Sequence, residues 1–396
     1  MDSLRLYFDH NATSPLCPEA RDAMQAALTA ASERWGNPSS PHRFGHEARV
    51  ALEEARSDVA ALIGAEARDV VFVSGGTEAD NLAIHGAARA WLAAHRLPGH
   101  LVTTAVEHPA VLSPCRRLAD EGWRLTVLPV DHDGVVDLDD AGRSLTSDTM
   151  LLSVMLANNE TGTLQPVVEL AARARKTGVL VHTDAVQAVG RVPVDVERLG
   201  VDYLTLSAHK IGGPVGIGAL WMKDGAPFEP LLTGGSQERR RRPGTEPLLL
   251  AIGFAAAARA ARLRAGADAI MALRDRMERE LHARSAWIRF NGGGRPRVGN
   301  TSSQTWPGID NETLVIRLDL AGIAISTGSA CSTGASRLSH VLTAMGRSAD
   351  EIGSTIRVSL GPATTDTHID ALIESLTAVA ADLRPTGEVA ASRAKR

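Results

Sequence analysis

Lysine is the charged residue this chain uses least. Among 42 Lys plus Arg, only Lys176, Lys210, Lys223 and Lys395 are lysine. A chain that turns to arginine wherever it wants positive charge keeps lysine mainly where arginine will not serve. Arginine cannot lose its proton near neutral pH; a desolvated lysine can, and then attacks carbonyl carbon. Cysteine is scarcer still. Cys17, Cys115 and Cys331 show no C-x-x-C or metal-ligand spacing and no even count to pair, so neither a disulfide framework nor a metal site is expected. No apolar run reaches membrane-spanning length, and the N-terminus lacks a basic-then-apolar signal pattern. A net charge of −4 leaves no basic excess for a nucleic acid. The expectation is a soluble protein of a reducing cytoplasm, with neither nucleic acid nor membrane as partner.

What is present points to an α/β protein. The 396 residues exceed one ordinary core, and 44% hydrophobic residues can fill two. Strands are expected at 4–9, 69–74, 100–105, 124–129, 150–156, 179–183 and 202–206. Helices are expected at 18–31, 42–63, 77–95, 109–121 and 167–176. Such alternation with near-continuous apolar strands means a mainly parallel sheet with helices on both faces. Residues 247–283, rich in Ala, Arg and Leu, read as one long helix or two leading to a smaller α/β domain. Its strands are expected at 288–290, 301–305 and 355–360, with helices at 312–320 and after Asp366. The expected division is a large domain over 17–260 and a small one over 261–396, with residues 1–16 packing on the latter.

Chemistry-bearing residues gather at expected strand ends. Lys210, in Ser207-Ala-His-Lys-Ile-Gly-Gly-Pro214, stands where a strand gives way to a turn. Strand 69–74 feeds Gly75-Gly-Thr-Glu-Ala-Asp-Asn81, either a phosphate cradle or a plain turn with Thr77 as helix cap. Asp184, in His182-Thr-Asp-Ala-Val-Gln187, can hold a heterocycle nitrogen or merely cap the next turn. His108 and Asn159 follow two further strands, and His108 alone would pass as a helix-start histidine. Thr77, His108, Asn159, Asp184 and Lys210 thus share one sheet edge, where α/β sheets bind ligands. Cys331 lies in Ser326-Thr-Gly-Ser-Ala-Cys-Ser-Thr-Gly-Ala335, a run without a bulky side chain, as suits a reactive thiol more than a buried one. Arg357 is a cation within an apolar strand, read as a carboxylate clamp or a buried ion pair. The basic run Glu238-Arg-Arg-Arg-Arg-Pro-Gly-Thr245 reads as a solvated loop, or as a contact for an acidic partner or a facing subunit.

Together these residues closely resemble the cysteine desulfurases, pyridoxal-phosphate enzymes of the class V aminotransferase group with the type I fold. The match runs from Tyr7-Phe-Asp-His-Asn-Ala-Thr13 to Arg357-Val-Ser-Leu-Gly361. Gly328-Ser-Ala-Cys331 is similar to the long-loop group, which serves iron–sulfur-cluster or nitrogenase maturation. The resemblance implies that Lys210 holds the cofactor covalently and that His108 stacks on its ring and assists proton transfer. It implies Asp184 at the pyridine nitrogen and Gln187 at the phenolate oxygen, with Asn159 alongside. Gly76, Thr77, Ser207 and His209 would hold the phosphate, with Thr245 contributed by the other subunit of a homodimer. Asn159 and Arg357, with Asn37 as a further candidate, would take the substrate carboxylate. Cys331 would accept sulfur as L-cysteine becomes L-alanine, and pass it to an acceptor or cluster scaffold protein. The rivals are a selenocysteine lyase, an ordinary class V aminotransferase, and a sulfur-delivery protein without catalysis.

Overall fold

The computed structural model describes residues 6–33, 35–264, 268–328 and 338–384; Cys331 lies outside the described residues. A short strand β1 (Leu6–Tyr7) and helices α1 (Pro18–Glu33) and α2 (Arg43–Ala61) come first. The larger sheet then takes β2 (Val70–Val73), β3 (His100–Thr104), β4 (Arg124–Leu128) and β5 (Thr149–Ser153). It is completed by β6 (Leu180–Asp184), β7 (Tyr203–Ser207) and β8 (Gly218–Met222). Between these strands run α3 (Gly76–His95), α4 (Pro109–Asp120), α5 (Leu138–Ser144), α6 (Val167–Thr177) and α7 (Val196–Leu199). The strand order is β2-β8-β7-β6-β5-β3-β4. Only β8 runs against its neighbours β2 and β7. The other six therefore point the same way, and their C-terminal ends form one edge.

Successive residues of a strand face opposite sides of the sheet. Val71, Val73, Leu101, Leu151, Tyr203 and Leu220 join Leu82, Ile84, Val111 and Cys115 in a core under α3 and α4. Val70, Phe72, Val102, Leu152, Leu204 and Trp221 join Leu52, Val59, Leu170 and Phe254 in the core on the opposite face. Each such side chain contributes about 1.5–3 kcal/mol when fully buried, so both faces must be apolar and the strands read as unbroken runs.

Residues 247–283 resolve into two helices, α8 (Leu248–Arg264) and α9 (Asp268–Arg284). Beyond them come β9 (Arg289–Asn291), β10 (Thr301–Thr305), α10 (Asn311–Leu320) and β11 (Ile323–Ala324). Then follow α11 (His340–Ala344), α12 (Ala349–Ile352), β12 (Thr355–Ser359) and α13 (Asp366–Leu383). Strands β12-β10-β9 make an antiparallel sheet, and β1 pairs in parallel with β11. Leu6 and Phe8 share a separate core with Met277, Trp306, Leu314, Ile356 and Ile373. Among the described residues no helix is long and apolar enough to cross a membrane.

In the arginine run Arg239 and Arg240 are exposed, as in a solvated loop, while Glu238 beside them anchors the turn. Glu238 is buried, and its carboxylate accepts from Arg56 Nη1 and Nη2 at 2.6 and 2.9 Å and from the Phe72 N–H at 3.0 Å. Arg242 pairs with Glu78 at 2.9 Å, while Arg239 donates to the Arg68 carbonyl at 3.0 Å. Glu238, Arg239 and Arg240 take φ of 46, 54 and 65°. Side-chain-bearing residues pay roughly 1–2 kcal/mol each in that region, so the turn needs a strong anchor. Glu238→Ala is expected to destabilise the fold by about 3 kcal/mol, because it leaves the buried Arg56 charge with only half-exposed Glu53 and the Val70 carbonyl. Denaturant unfolding reads the loss; a change below about 1 kcal/mol would mean that Arg56 is satisfied without Glu238.

Candidate active site

The turns after β2, β3, β5, β6 and β7 leave the sheet along its common edge. β7 ends at Ser207, and one 3-10 turn over Ala208–Lys210 brings the lysine round. Gly212 closes that turn at φ 86°, where a Cβ would also stand 3.1 Å from the Cys17 Cβ. Only glycine fits both demands. Lys210 Nζ donates to the backbone carbonyls of Asn11 at 2.7 Å and Ala12 at 2.8 Å. Asp184, the last residue of neighbouring β6, is buried and its Oδ1 accepts the Val186 N–H at 2.9 Å. Burial pushes its carboxyl up to about 6, while the Val186 N–H and the charge on Lys210 work toward ionisation. Asp80 lies behind it, fully buried, and is pushed up by burial and by the Asp184 charge. Two like charges cannot both be held there, so the better-bonded Asp184 is the one that ionises. Gln187 donates from Nε2 to the Asn11 carbonyl at 2.9 Å.

The glycine turn after β2 has the features of an anion cradle. Gly75 occupies the cap of α3 and no side chain caps the helix. Thr77 therefore sits within the first turn, not at the cap position, and is exposed. The first backbone N–H groups of a 20-residue helix are left facing outward. A Cβ on Gly76 would lie 3.0 Å from Val186 and 3.7 Å from the Ser207 Cβ, so the turn closes directly on the ends of β6 and β7. Among the described residues the buried Ser207 Oγ has no hydrogen-bond partner. His209 is fixed by Thr13 Oγ1 at 3.1 Å; burial first, then the Lys210 charge, pushes it down to about 4. An uncapped helix end, an orphaned hydroxyl and an imidazole N–H fit a phosphate ester.

His108 is indeed the cap of α4: its Nδ1 accepts the Ala110 N–H at 3.1 Å, and Pro109 opens the helix. The neutral ring therefore carries its proton on Nε2. Burial, then the charges on Lys210 and His340, pushes the ring down to about 4, so it stays neutral through the physiological range. His108 and Thr77 line one open cavity of about 470 Å³ together with Asn81, His85 and Arg117. Its neighbour Glu107 is fully buried and accepts from Thr104 Oγ1 at 2.7 Å and the Met155 N–H at 2.9 Å. Burial pushes Glu107 from 4.5 up to about 8. The folded-state value is the higher one, so the neutral acid favours the fold fully below about 4.5. That contribution disappears as pH rises through about 8. Glu107→Gln, uncharged at every pH, should gain thermal stability relative to the parent between pH 5 and 9. Parallel melting curves across that range would show Glu107 carries no such shift.

Arg357, on β12, is 2% exposed and forms a buried ion pair. Nη2 pairs with Asp9 at 2.8 Å, and Nη1 donates to the Asn159 and Gly328 carbonyls, each at 3.0 Å. Its Nε is buried without a partner among the described residues. A bound carboxylate can take Nε but gains a second N–H only by displacing one present partner. Asn159 is thus joined to Arg357 through its backbone carbonyl. Asn37 is exposed, and its Oδ1 accepts the Ser39 N–H at 2.9 Å, so that oxygen serves its own turn. Thr245 is exposed at the end of the anchored arginine run. Cys17 and Cys115 are buried; burial raises both thiols, Cys115 to about 12.

Reasoning from side chains missed Asn11. It is 2% exposed and bonds Asn159, Thr301, Asn300, Ser359, Gln187 and Lys210. It lay within a matched motif, but a backbone carbonyl leaves no trace in residue type.

The family description for class-V aminotransferases matches residues 6–372. A cysteine desulfurase of Cereibacter sphaeroides is 44% identical over 395 residues, covering 99% of this chain and 100% of its own. Cysteine desulfurase IscS of Dictyoglomus turgidum is 42% identical over 381 residues, 96% of this chain and 95% of its own. A solved structure described as a NifS-like protein superposes with a TM-score of 0.87 at 33% identity, over 96% of this chain and 100% of that one. The fold is the type I fold of pyridoxal-phosphate enzymes, a mostly parallel seven-stranded sheet between helices. On these grounds the chain belongs to the class-V aminotransferase family, among its cysteine desulfurases.

Proposed function

We propose that this chain is a pyridoxal-phosphate-dependent cysteine desulfurase that turns L-cysteine into L-alanine and leaves the sulfur as a persulfide on Cys331. The observation that carries this reading is the meeting of Asp184 and Lys210 at the ends of adjacent strands, beside an uncapped helix N-terminus. When bound, pyridoxal phosphate supplies an electron sink for negative charge developing at the substrate Cα. Gly76, Thr77, Ser207 and His209 would hold its phosphate, with Thr245 reaching in from a second copy. Asp184 would face the ring nitrogen, Gln187 the phenolate oxygen, His108 the ring, and Asn159 its edge.

Lys210, as the free amine, takes the proton from Cα. Arg357 and Asn159 hold the substrate carboxylate, and Asn37 is a further contact. The Cys331 thiolate attacks the substrate γ-sulfur, so an S–S bond forms as the C–S bond breaks. The electron pair of the C–S bond stays with carbon, which takes one proton to become the methyl of alanine. Cys17 and Cys115 are unsuited to this step, since a buried, neutral thiol is a poor nucleophile. We place the protein in the cytoplasm as a homodimer. Val215, at 74%, and Thr245 are both exposed, which leaves them open to contact from a second copy. The persulfide sulfur is destined for an acceptor or scaffold protein of iron–sulfur cluster assembly.

Purified protein loaded with pyridoxal phosphate is expected to form equal amounts of alanine and sulfide from L-cysteine and a thiol reductant, with no keto acid added. Alanine that appears only when a keto acid is supplied would instead make the chain an aminotransferase.

A further inference from the structure

We propose that the carbonyls of Asn11 and Ala12 form a dock for the Lys210 side chain whenever it is not bonded to cofactor, and that Asn11 is the positioning residue that fixes this dock. The inference rests on reading Lys210 as the cofactor-bearing lysine. Nζ stands 2.7 Å from one carbonyl oxygen and 2.8 Å from the other, the short spacing of charge-assisted bonds. Carbonyl oxygens accept hydrogen bonds and give none, so the pair favours ammonium over amine.

Asn11 is held from both sides. Its N–H donates to Ser359 Oγ at 3.0 Å, and its Nδ2 to Thr301 Oγ1 at 2.9 Å and the Asn159 carbonyl at 3.1 Å. Its Oδ1 accepts from Asn300 Nδ2 at 3.0 Å, and its carbonyl accepts from Gln187 Nε2 at 2.9 Å. Thr301 and Ser359 belong to the three-stranded sheet, while Asn159 and Gln187 follow strands of the seven-stranded one. A buried group with every polar atom satisfied has one orientation available to it. The dock is thus rigid relative to both sheets.

Such a dock serves two moments of the reaction. When the substrate amine displaces Lys210, the released nitrogen has a defined place to go. When the neutral Nζ amine takes the Cα proton, the ammonium that results is the form the carbonyls favour, and the electron pair remains on carbon. The charged or titratable groups coupled to Lys210 are Asp184 at the end of β6, His108 at the start of α4, and adjacent His209. Both imidazoles are neutral near pH 7, while Asp184 and the carbonyl pair each favour the ammonium.

The test is trace acylation of the cofactor-free protein across pH, with the Lys210 peptide quantified by mass spectrometry. In Asn11→Ala the profile for Lys210 is expected to move about one pH unit lower, roughly tenfold faster labelling at a fixed pH below the midpoint. Thr301→Val, which removes one bond to Asn11 at nearly constant volume, should move it the same way by less. Exposed Lys223 is the internal reference and should not move. Unchanged Lys210 profiles in folded variants overturn the dock, and Thr301→Val alone decides if Asn11→Ala fails to fold. Borohydride reduction of the loaded protein tests the underlying reading separately. A label on any lysine other than Lys210 overturns that reading whatever the profiles show.

Discussion

Lys210→Ala is expected to lower turnover of L-cysteine by about 10⁴-fold or more and to leave no borohydride-reducible bond between protein and pyridoxal phosphate. On the proposed reading both losses come from one atom, because Nζ would provide the attachment and accept the substrate proton. The fold should survive. The Asn11 carbonyl keeps its bond from Gln187, and the lost side chain is half-buried on a turn. Lys210→Arg should fail as completely, since a guanidinium keeps its proton at any workable pH. The loss of positive charge also leaves Asp184 closer to neutral, because Lys210 is what draws its carboxyl toward ionisation. The measurements are the visible spectrum on adding cofactor and single-turnover alanine formation. A variant within tenfold of the parent would remove Lys210 from the chemistry.

Cys331→Ser is expected to bind cofactor and substrate as the parent does, yet to release sulfide about 10²-fold more slowly or worse. A serine hydroxyl is no substitute for a thiolate, and the other two cysteines are buried. The chain up to Gly328 is already tied to the site: the Gly328 carbonyl accepts from Arg357, which also bonds the Asn159 carbonyl. That same carbonyl accepts from Asn11, whose own carbonyl takes Lys210. Three further residues reach at most about 11 Å. Mass spectrometry after a cysteine pulse should find one added sulfur in the parent and none in the variant. An added sulfur in Cys331→Ser would move the acceptor role elsewhere.

Most of the parallel sheet could be read from residue type because strands buried on both faces are unbroken apolar runs. Strands 100–105, 124–129 and 179–183 differ from β3, β4 and β6 by a residue or so. β8 escaped notice: Gly-Ala-Leu-Trp-Met opens on two small residues and runs against its neighbours, outside the strand–helix alternation. α5, α11 and α12 escaped for want of length. Asp184, Ser207 and Lys210 were visible because strand ends are where polar side chains interrupt apolar sequence. At Arg239–Arg242 local composition cannot reveal that Glu53, Glu78 and the Arg68 carbonyl approach from distant segments. Asn11 and Ala12 act through backbone oxygen, which every residue possesses.

The tie from Asn11 to Ser359 joins positions 348 residues apart, as does the pair of Asp9 with Arg357. At 5–20 residues per second a ribosome needs roughly 20–70 s to make the intervening chain. Lys210 is itself made 149 residues before Ser359, so for roughly the last 7–30 s of that interval the nascent polypeptide has the Lys210 amine but not the clamp that orients it. On the proposed reading, ribosome-arrested chains ending before residue 355 are expected to remain colourless in pyridoxal phosphate, while released chains that include β12 turn yellow.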